Sequence, residues 1–546
     1  MKDLIDVHKI FAKYFKGCET LAYALSDKLS EGNICLDISE YQNALPRLLE
    51  EQKAKEPYKE EDALFWAADD FANQCEEGEF VTHSDKELKP FVIQKGYAYL
   101  HRYFTYETQI ISRIRKLGVN LHIITGGPGT GKTYSVSTKL AELFAKDPTL
   151  RVALAAPTGK AAARMNESLR NFVKDHENSL NTEVKTKLAG LKAQTIHLLL
   201  GPVSDSVFFR HDEKNRLPYN VVIIDECSMI DGAMMAKLLN AVDDTTTLYL
   251  IGDKDQLASV EAGSVFGDLS RAVKSELLKD KVITLMESHR FKKDKGIGRF
   301  STEIIEGKTP DVNSYSKDDQ VTIEILNSDN TKTNLFKEKV LKSGLFKQYA
   351  LEYEDYINKD DIKEALISLN KIRFLCVTRE NDYSVSETNK AIEKLLKEKV
   401  ADKEKFNPKE GFYHNQPIII TQNDYKLGLL NGDVGLIRRE SDTLFAWFEG
   451  PDGEIIKKIA GYVNHYDTVF AMTIHKSQGS EFDHVVVILP EKQADKLLTR
   501  ELLYTAITRA KTKVLLQTTV EALDKCATRS VSRASGLETQ IETIKK

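Results

Sequence analysis

The sequence predicts an α/β protein with two halves of similar architecture. Apolar runs of strand length alternate with helix-like segments in two separate stretches, a glycine-rich loop follows one of those runs, and a β-rich segment interrupts the second stretch. Such runs are typical of parallel strands buried on both faces. The 546 residues suffice for three or four domains of about 150 residues each.

The first hundred residues form a separate, acidic segment. Residues 1–105 carry 13 Lys/Arg and 20 Asp/Glu, and their apolar residues recur near helical spacing, which predicts a mostly helical N-terminal domain. The whole chain has a formal net charge of −5, whereas the residues after 105 carry about +2. The total charge therefore neither supports nor excludes a nucleic-acid partner.

Composition predicts a cytoplasmic protein with no membrane contact. No apolar run approaches the roughly 18–20 residues of a membrane span, and the first residues lack an apolar signal core. The cysteines form no CxxC pair, so we expect reduced, mostly buried thiols. They are Cys18, Cys35, Cys75, Cys227, Cys376 and Cys526.

The predicted strands divide the α/β region into residues 106–330 and 331–546. In the first half the strands are Leu121–Thr125, Arg151–Ala155, Val221–Ile224 and Leu248–Ile251. In the second half they are Phe374–Thr378, Val469–Thr473, Val485–Leu489 and Lys513–Leu516. Residues 300–370 carry no recognisable motif, and we predict that the polar tail from about Cys526 is disordered.

Residues 411–462 interrupt the second half with short β-like runs. Turn sequences such as Asn431-Gly432 separate these runs, a pattern that predicts a small inserted β-barrel. The runs are Pro417–Thr421, Val434–Arg438 and Phe445–Phe448.

The glycine-rich loop matches the phosphate-binding pattern GxxxxGK[ST] in full. Because it lies between a predicted strand and the predicted helix Lys132–Lys146, backbone N–H groups and the helix N-terminus converge on phosphate oxygens. We expect Lys132 to reach the β- and γ-phosphates and Thr133 to ligate Mg²⁺. The loop comprises Gly126, Gly127, Pro128, Gly129, Thr130, Gly131, Lys132 and Thr133.

Other polar residues suit nucleotide hydrolysis. Asp225 and Glu226 follow a predicted strand, where one acid can hold a metal ion and the other can polarise the attacking water. Gln256 can contact the γ-phosphate or belong to an ordinary polar turn, and its segment favours neither. Arg290 and Arg509 can stabilise charge on the transferred phosphoryl group, although a single arginine more often forms a surface ion pair.

In order, these motifs resemble those of superfamily 1 DNA helicases, and especially the RecD family, which includes the alpha subunit of exodeoxyribonuclease V. The resemblance covers about residues 100–515 and implies two RecA-like P-loop motor domains with an SH3-like barrel insertion. His289 and Tyr134 depart from the usual pattern and receive no chemical role. The motifs are GGPGTGKT, APTGKAAARM, TIHLLLG, DECSM, IGDKDQLASVEAGS, SHRF, TIHKSQGSEFD and LYTAITRA.

The resemblance also implies a role for each motif residue. Gln109 would recognise adenine, and Gly479 and Glu481 would lie near the ribose and the hinge of the second domain. Four residues would bind and hydrolyse Mg-ATP: Lys132, Thr133, Asp225 and Glu226. Three others would couple this hydrolysis to closure of the interdomain cleft: Gln256, Arg290 and Arg509. The residues of a single-strand DNA track would be Pro157, Thr158, Thr195, His197, Thr473 and His475.

One further segment, Val207–Pro218, resembles the β-hairpin pin that splits duplex DNA in this branch. An ordinary surface hairpin is the alternative, and the sequence does not favour the pin over it. Its aromatic residues are Phe208 and Phe209.

The implied activity is ATP-driven 5′→3′ movement on DNA at duplex ends, in a heterotrimer with RecB and RecC. The sequence shows no metal-nuclease cluster outside the motor motifs, so we expect nuclease activity in RecB, and the acidic N-terminal segment is the expected docking surface for RecC. Two alternatives remain: a free-standing RecD-like helicase and a nucleotide-gated scaffold that binds DNA without unwinding. A scaffold has no physical need for Lys132, Glu226, Gln256, Arg290 and Arg509 together.

Overall fold

The computed structural model describes most of the chain, in nine ranges. These are residues 6–54, 59–326, 334–380, 384–399, 411–424, 426–450, 453–490, 494–531 and 533–542. Within them, no helix is both long enough and apolar enough to span a bilayer. All six cysteines are free thiols, and five of them are buried.

The N-terminal segment is built mostly of helices, as predicted, and also contains a small sheet that the sequence did not predict. Its sheet has the strand order β1-β4-β3-β2. The strands are two to four residues long, which is too short to show an alternating pattern in the sequence. The turn that joins β3 to β4 is Lys95-Gly96, with both residues at positive φ, and it lacks the Asn-Gly sequence that is typical of a hairpin. The elements are α1 (Val7–Ala12), α2 (Glu19–Ser30), β1 (Cys35–Asp37), α3 (Ile38–Lys53), α4 (Ala68–Gln74), β2 (Val81–Thr82), β3 (Phe91–Gln94) and β4 (Tyr97–Leu100).

The first half forms a six-stranded, all-parallel sheet of order β10-β5-β9-β8-β6-β7. Helices α5 and α10 pack on one face, and α6, α7 and α8 on the other. All four predicted strands are present, whereas β7 and β10 were not predicted. The strands are β5 (Leu121–Gly126), β6 (Val152–Ala156), β7 (Ala193–Thr195), β8 (Val221–Ile224), β9 (Thr247–Gly252) and β10 (Val282–Leu285). The helices are α5 (His101–Leu117), α6 (Lys132–Lys146), α7 (Gly159–Asp175), α8 (Thr182–Gly190), α9 (Ile196–Leu200), α10 (Gly232–Ala241) and α11 (Val265–Arg271).

The second half forms a five-stranded parallel sheet of order β11-β20-β19-β12-β18, so the two-domain α/β prediction is confirmed. The strands are β11 (Val321–Ile325), β12 (Ile372–Cys376), β18 (Ala471–Thr473), β19 (Phe482–Ile488) and β20 (Ala510–Thr518). The helices are α12 (Gly296–Ile305), α13 (Asn334–Lys342), α14 (Gly344–Leu351), α15 (Glu354–Ile357), α16 (Ile362–Leu369), α17 (Val385–Lys399), α18 (Arg500–Ile507) and α19 (Val520–Thr528). The last helix, α20 (Leu537–Glu542), packs in the core of the first half.

The inserted segment is a five-stranded antiparallel sheet of order β16-β15-β14-β13-β17. It encloses its own apolar core, which includes Ile418, Leu429, Ile437 and Phe448. In the described part of the insertion, no pairing joins the edge strands, so closure into an SH3-like barrel stays a prediction. The strands are β13 (Pro417–Ile420), β14 (Val434–Glu440), β15 (Thr443–Glu449), β16 (Ile455–Ile459) and β17 (Tyr466–Thr468).

The predicted domain boundaries at 105/106 and 330/331 do not match the structure. Helix α5 runs through the first boundary without a break. The chain leaves the first sheet at Leu285, and Phe291 and Ile297 already pack in the core of the second half. Because β11 also lies in the second sheet, the chain passes between halves near residues 286–291. Apolar runs locate strands but do not show which sheet they join.

The polar tail is ordered in its described part, which corrects the prediction of disorder. Cys526 is fully buried in α19. Residues 533–542, here called the C-terminal strap, return to the first half, where Leu537 and Ile541 are fully buried in its core. Polar composition predicted disorder wrongly because backbone groups of the strap pair with side chains that are far away in the sequence.

Candidate active site between the two halves

The glycine-rich loop has the geometry of a phosphate cradle. Gly129 and Gly131 have φ of +75° and +77°, and Gly131 caps the N-terminus of α6. The Lys132 Nζ donates to the carbonyl oxygens of Gly126 at 2.5 Å and Gly127 at 3.0 Å. The loop therefore presents backbone N–H groups, a helix N-terminus and one ammonium group to the same space.

A cavity of about 630 Å³ lies between the two halves in front of this loop. Predicted residues that line it are Pro128, Gly129, Thr130, Gly131, Lys132, Thr133, Asp225, Glu226, Gln256, Arg290, Glu481 and Arg509. Lining residues that the sequence did not assign are Tyr134, Ser135, Ala161, Arg164, Met165, Ser168 and His289. The structure thus brings most of the predicted nucleotide set together around one volume.

Asp225 and Thr133 form a pair suited to a divalent cation. The Thr133 hydroxyl donates to Asp225 Oδ2 at 3.3 Å, and the other carboxylate oxygen accepts the Glu226 N–H at 2.8 Å. Burial, together with the nearby Glu226 carboxylate, raises the pKa of Asp225, so a cation there would stabilise its charged form. One carboxylate and one hydroxyl fit Mg²⁺, which usually binds through few protein ligands plus substrate phosphates.

Glu226 has a strained backbone. Its φ is +53° and its ψ is 40°, the left-handed region that a glutamate rarely occupies. Strain of this kind costs on the order of 1–3 kcal/mol and persists where the surrounding structure enforces it. The strained residue lies just after β8 and lines the cavity.

Glu481 joins two arginines across the cavity. Its Oε2 lies 2.8 Å from Arg290 Nη2, and its Oε1 lies 2.5 Å from Arg164 Nη2. Although burial acts in the opposite direction, the two guanidinium groups lower the pKa of Glu481 to about 2. Glu481 is therefore a carboxylate at neutral pH, and both arginines are paired to it.

Gln256 lies in a hydrogen-bonded contact between the halves. Its Nε2 donates to Asp253 Oδ2 at 3.0 Å, and the same oxygen accepts the hydroxyl of Tyr504 from the second half at 3.0 Å. One residue further, the Leu257 N–H donates to Thr505 Oγ1 at 2.9 Å. This turn is therefore fixed to α18, so a movement of the second half would move Gln256.

Arg509 is almost fully buried beneath the cavity. Its guanidinium donates to the carbonyl oxygens of Thr505 at 3.1 Å and Ser480 at 3.3 Å. It therefore holds α18 against the segment that carries Glu481, in addition to lining the cavity.

The segment that carries Arg290 is bonded directly to the phosphate-binding loop. The His289 N–H donates to the Gly129 carbonyl at 2.8 Å, and the Ser288 hydroxyl donates to the Pro128 carbonyl at 2.9 Å. A Cβ atom on Gly129 would lie 2.5 Å from the Arg290 Cβ. These contacts fix the arginine beside the loop, and His289 contributes through its backbone.

Gln109 is not placed for the predicted contact with adenine. It lies on α5, which packs on the opposite face of the sheet from α6, and it is absent from the cavity lining. Its side-chain oxygen accepts a hydrogen bond from Asn240 at 3.1 Å. The family resemblance implied the contact with adenine for this residue, which stands 17 residues before Gly126. The direction in which α5 packs decides which face its side chain reaches.

The predicted track residues follow the carboxyl ends of three parallel strands. The hydroxyls of Thr158, Thr195 and Thr473 each accept the backbone N–H of the residue three positions further along the chain, at 3.2 Å. Gly479 lies beside the first of these, since a Cβ on it would be 3.8 Å from Thr158 Oγ1. The remaining predicted members are Pro157, His197 and His475; burial lowers the pKa of both histidines.

The segment Val207–Pro218 does not form a regular β-hairpin. Its one β-bridge joins Phe209 to Pro202, outside the predicted segment. Phe208 is 73% exposed, whereas the Phe209 ring packs against His197 with the ring centroids 5.7 Å apart. The segment is therefore a loop with one exposed aromatic side chain, and its role as a pin stays untested.

The two parallel sheets and the cavity between them define a two-domain P-loop nucleotide-binding protein. Residues 110–262 match the family described as an AAA domain, and residues 468–517 match the UvrD-like helicase C-terminal domain. These matches cover the loop, the acidic pair and Gln256 in the first half, and Glu481 and Arg509 in the second.

Relatives matched over most of this chain specify the family. The RecBCD enzyme subunit RecD of Mycolicibacterium smegmatis is 38% identical over 432 residues, which cover 78% of this chain and 73% of that protein. The same subunit of Haemophilus influenzae is 35% identical over 472 residues, which cover 77% and 70%. The ATP-dependent RecD2 DNA helicase of Deinococcus radiodurans is 28% identical over 403 residues, which cover 72% and 46%. The chain belongs to the RecD family.

Proposed function

We propose that this chain is an ATP-dependent 5′→3′ DNA helicase, the RecD subunit of a RecBCD-type helicase–nuclease complex that processes double-strand DNA ends in recombinational repair. The observation that carries the proposal is the composite cavity. Lys132 and Glu226 come from the first half, and Glu481 and Arg509 come from the second. A nucleotide held by the loop would contact both halves, so its hydrolysis can change how they are positioned.

The chemistry follows from the positions of the side chains. Lys132 and the loop N–H groups would bind the phosphates, and Thr133 and Asp225 would hold Mg²⁺, which neutralises phosphate charge when bound. Glu226 would polarise the attacking water. Arg290 and Arg509 would stabilise the charge that develops on the transferred phosphoryl group.

DNA would cross the carboxyl ends of both sheets along the predicted track. Backbone N–H groups and threonine hydroxyls at helix starts suit phosphate oxygens, so binding would be independent of sequence and sensitive to salt. Alternating grip by the two halves would convert each hydrolysis cycle into a step along one strand.

The proposal also assigns partners and a compartment. RecB and RecC would complete the heterotrimer, with nuclease activity in RecB and with RecC docked on the acidic N-terminal segment. Free thiols at all six cysteines suit a reducing, cytoplasmic location.

The test is a comparison of tailed duplexes unwound by the complex reconstituted with wild-type or Lys132→Ala chain. Loss of the ammonium group removes a charge that stabilises the transition state, so the ATP hydrolysis contributed by this chain should fall by about 100-fold or more. Unwinding that depends on a 5′ tail should disappear with it. Lys139→Ala, at an exposed position on the same helix, is the matched control.

Each other result has a distinct meaning. Loss confined to 3′-tailed duplexes would refute the polarity. Unchanged unwinding on both substrates would favour the nucleotide-gated scaffold. Efficient unwinding by the chain without RecB and RecC would favour a free-standing helicase.

A further inference from the structure

Glu481 lies between the ATP cavity and the predicted DNA track. Its carboxylate bridges Arg164 on α7 and Arg290 beside the phosphate-binding loop. Both arginines line the cavity, and 13% of the Glu481 side chain is exposed. One carboxylate of the second half therefore holds one cation of the first half and one cation of the segment that joins the two halves.

The same two elements meet at the track. Helix α7 begins directly after Thr158, whose hydroxyl caps it. Gly479, two residues before Glu481, lies against this cap and against Ala161, at 3.8 Å and 3.6 Å from a Cβ built on the glycine. A strand of DNA held at Thr158 would therefore press on the start of α7 and on the segment that carries Glu481.

Arg290 has capacity for a second acceptor. Its Nη2 is paired with Glu481, whereas its Nη1 is buried and has no hydrogen-bond partner among the residues that the structure describes. A buried guanidinium nitrogen without an acceptor is costly, and a phosphate oxygen in the cavity would satisfy it. How far Glu481 draws the guanidinium toward itself therefore affects how well Arg290 can reach a nucleotide.

We propose, on the basis of the proposed function, that Arg164 is a residue that positions Arg290. With Glu481 and Arg290 it forms a relay that transmits occupancy of the DNA track to the position of Arg290 at the ATP site. Arg164 and Arg290 share this carboxylate, and each is bonded to a different oxygen. When α7 and the Glu481 segment move together on DNA, Arg164 retains Glu481 and Arg290 turns to the nucleotide.

This relay differs from an ordinary structural ion pair in what it affects. A structural pair would change stability alone. The relay changes the ratio of ATP turnover with and without single-stranded DNA, because without Arg164 the carboxylate holds Arg290 in both states. The lowered pKa of Glu481 keeps the carboxylate charged throughout the neutral range, as the relay requires.

The experiment measures kcat and KM for ATP in the complex, with and without a saturating oligonucleotide, for Arg164→Gln, Glu481→Gln and the double variant. We expect Arg164→Gln to lower the DNA stimulation of kcat at least about fivefold, a typical size for coupling between two sites. The double variant should be no worse than Glu481→Gln alone, since both changes break one link. Arg164→Lys, which keeps the charge, should restore part of the stimulation.

The controls separate the relay from folding and from the proposed function. Arg170→Gln, at an exposed position on α7, should retain wild-type stimulation. Wild-type stimulation in Arg164→Gln, or multiplied losses in the double variant, would overturn the relay. If Arg164→Gln does not fold, wild-type stimulation in Glu481→Gln would overturn it equally. If Lys132→Ala, in a complex that is otherwise wild type, removes no DNA-stimulated hydrolysis, the proposed function is instead refuted.

Discussion

The backbone of Gly129 shows why the phosphate-binding loop tolerates no side chain at this position. Its φ of +75° is unfavourable for other residues, and an added Cβ would lie 2.5 Å from the Arg290 Cβ and 2.9 Å from Ser288 Oγ. The close approach of Ser288 and Arg290 comes from a segment about 160 residues further along the chain, so the pattern GxxxxGK[ST] does not reveal it. One glycine thus sets both the loop conformation and the distance to an arginine.

Gly129→Ala should therefore impair ATP turnover by displacing Arg290. We expect the backbone strain alone to destabilise the first half by about 1–3 kcal/mol, and KM for ATP to rise. The control is Gly190→Ala at the end of α8, where a Cβ meets nothing within 4 Å. Steady-state ATPase and thermal unfolding measure both effects; wild-type kinetics in Gly129→Ala would show that the contact with Arg290 is unimportant.

At the scale of elements, helix α10 depends on a side chain from α5. The guanidinium of Arg113, 3% exposed, donates to the carbonyl oxygens of Leu239 at 3.0 Å and Val242 at 2.7 Å. The last carbonyls of a helix lack partners within it, and a cation is favourable at that end of the dipole. Arg113 therefore fixes α10, the helix that follows the acidic pair, against α5.

Replacing this arginine should loosen that packing. Arg113→Met keeps the side-chain length but removes the side-chain donor to the Leu239 carbonyl and leaves the Val242 carbonyl with a 3.3 Å bond from Arg216. We therefore expect a loss of about 1–3 kcal/mol in unfolding free energy. Arg115→Met, exposed on the same helix, should change it little. Urea unfolding followed by circular dichroism makes the comparison, and equal midpoints for the two variants would contradict the capping role.

At the scale of the whole molecule, the C-terminal strap connects all three parts of the chain. It leaves the second half after α19, and its Ala534 carbonyl accepts the Ile34 N–H of the N-terminal segment at 2.9 Å. The Ser535 hydroxyl and the Gly536 N–H both donate to Glu107 Oε1 at 3.0 Å, deep in the first half. Domain movements must therefore stretch or release the strap.

Glu107 should make strap docking depend on pH. Burial raises the pKa of Glu107 from its ordinary value of 4.5 to about 7, against the opposing effect of its hydrogen bonds. Because the folded-state pKa is the higher one, its stabilising contribution is complete below about pH 4.5 and is lost as the pH rises through about 7. At most about 3 kcal/mol is involved.

Glu107→Gln should therefore lose less stability than the wild-type chain between pH 5 and pH 8. The amide oxygen can still accept from the strap, so docking should persist. Thermal unfolding at several pH values and protease protection of the strap measure the two properties, with Glu183→Gln as the exposed control. The buried Asp268 carboxylate titrates in both chains, so the difference between them is diagnostic. Identical pH profiles would show that Glu107 does not titrate in this range.

The sequence alone determined the elements whose signals are local. Parallel strands buried on both faces are continuous apolar runs, and the residues of a phosphate-binding loop are adjacent in the chain, so both could be recognised without a structure. The positions of Lys132, Asp225, Glu226 and Arg509 follow from motifs a few residues long.

Only the tertiary structure decided the features that depend on packing between distant segments. Gln109 faces Asn240 because of the way α5 packs. The chain passes between the halves near residues 286–291 because Phe291 joins the second core. The strap is ordered because it bonds to Glu107, which lies more than 400 residues earlier in the chain. Arg164 is paired because Glu481, from the other half, reaches it. Adjacent residues reveal chemical type, but the direction of a packed helix and the partner of a buried charge arise only when the whole chain folds.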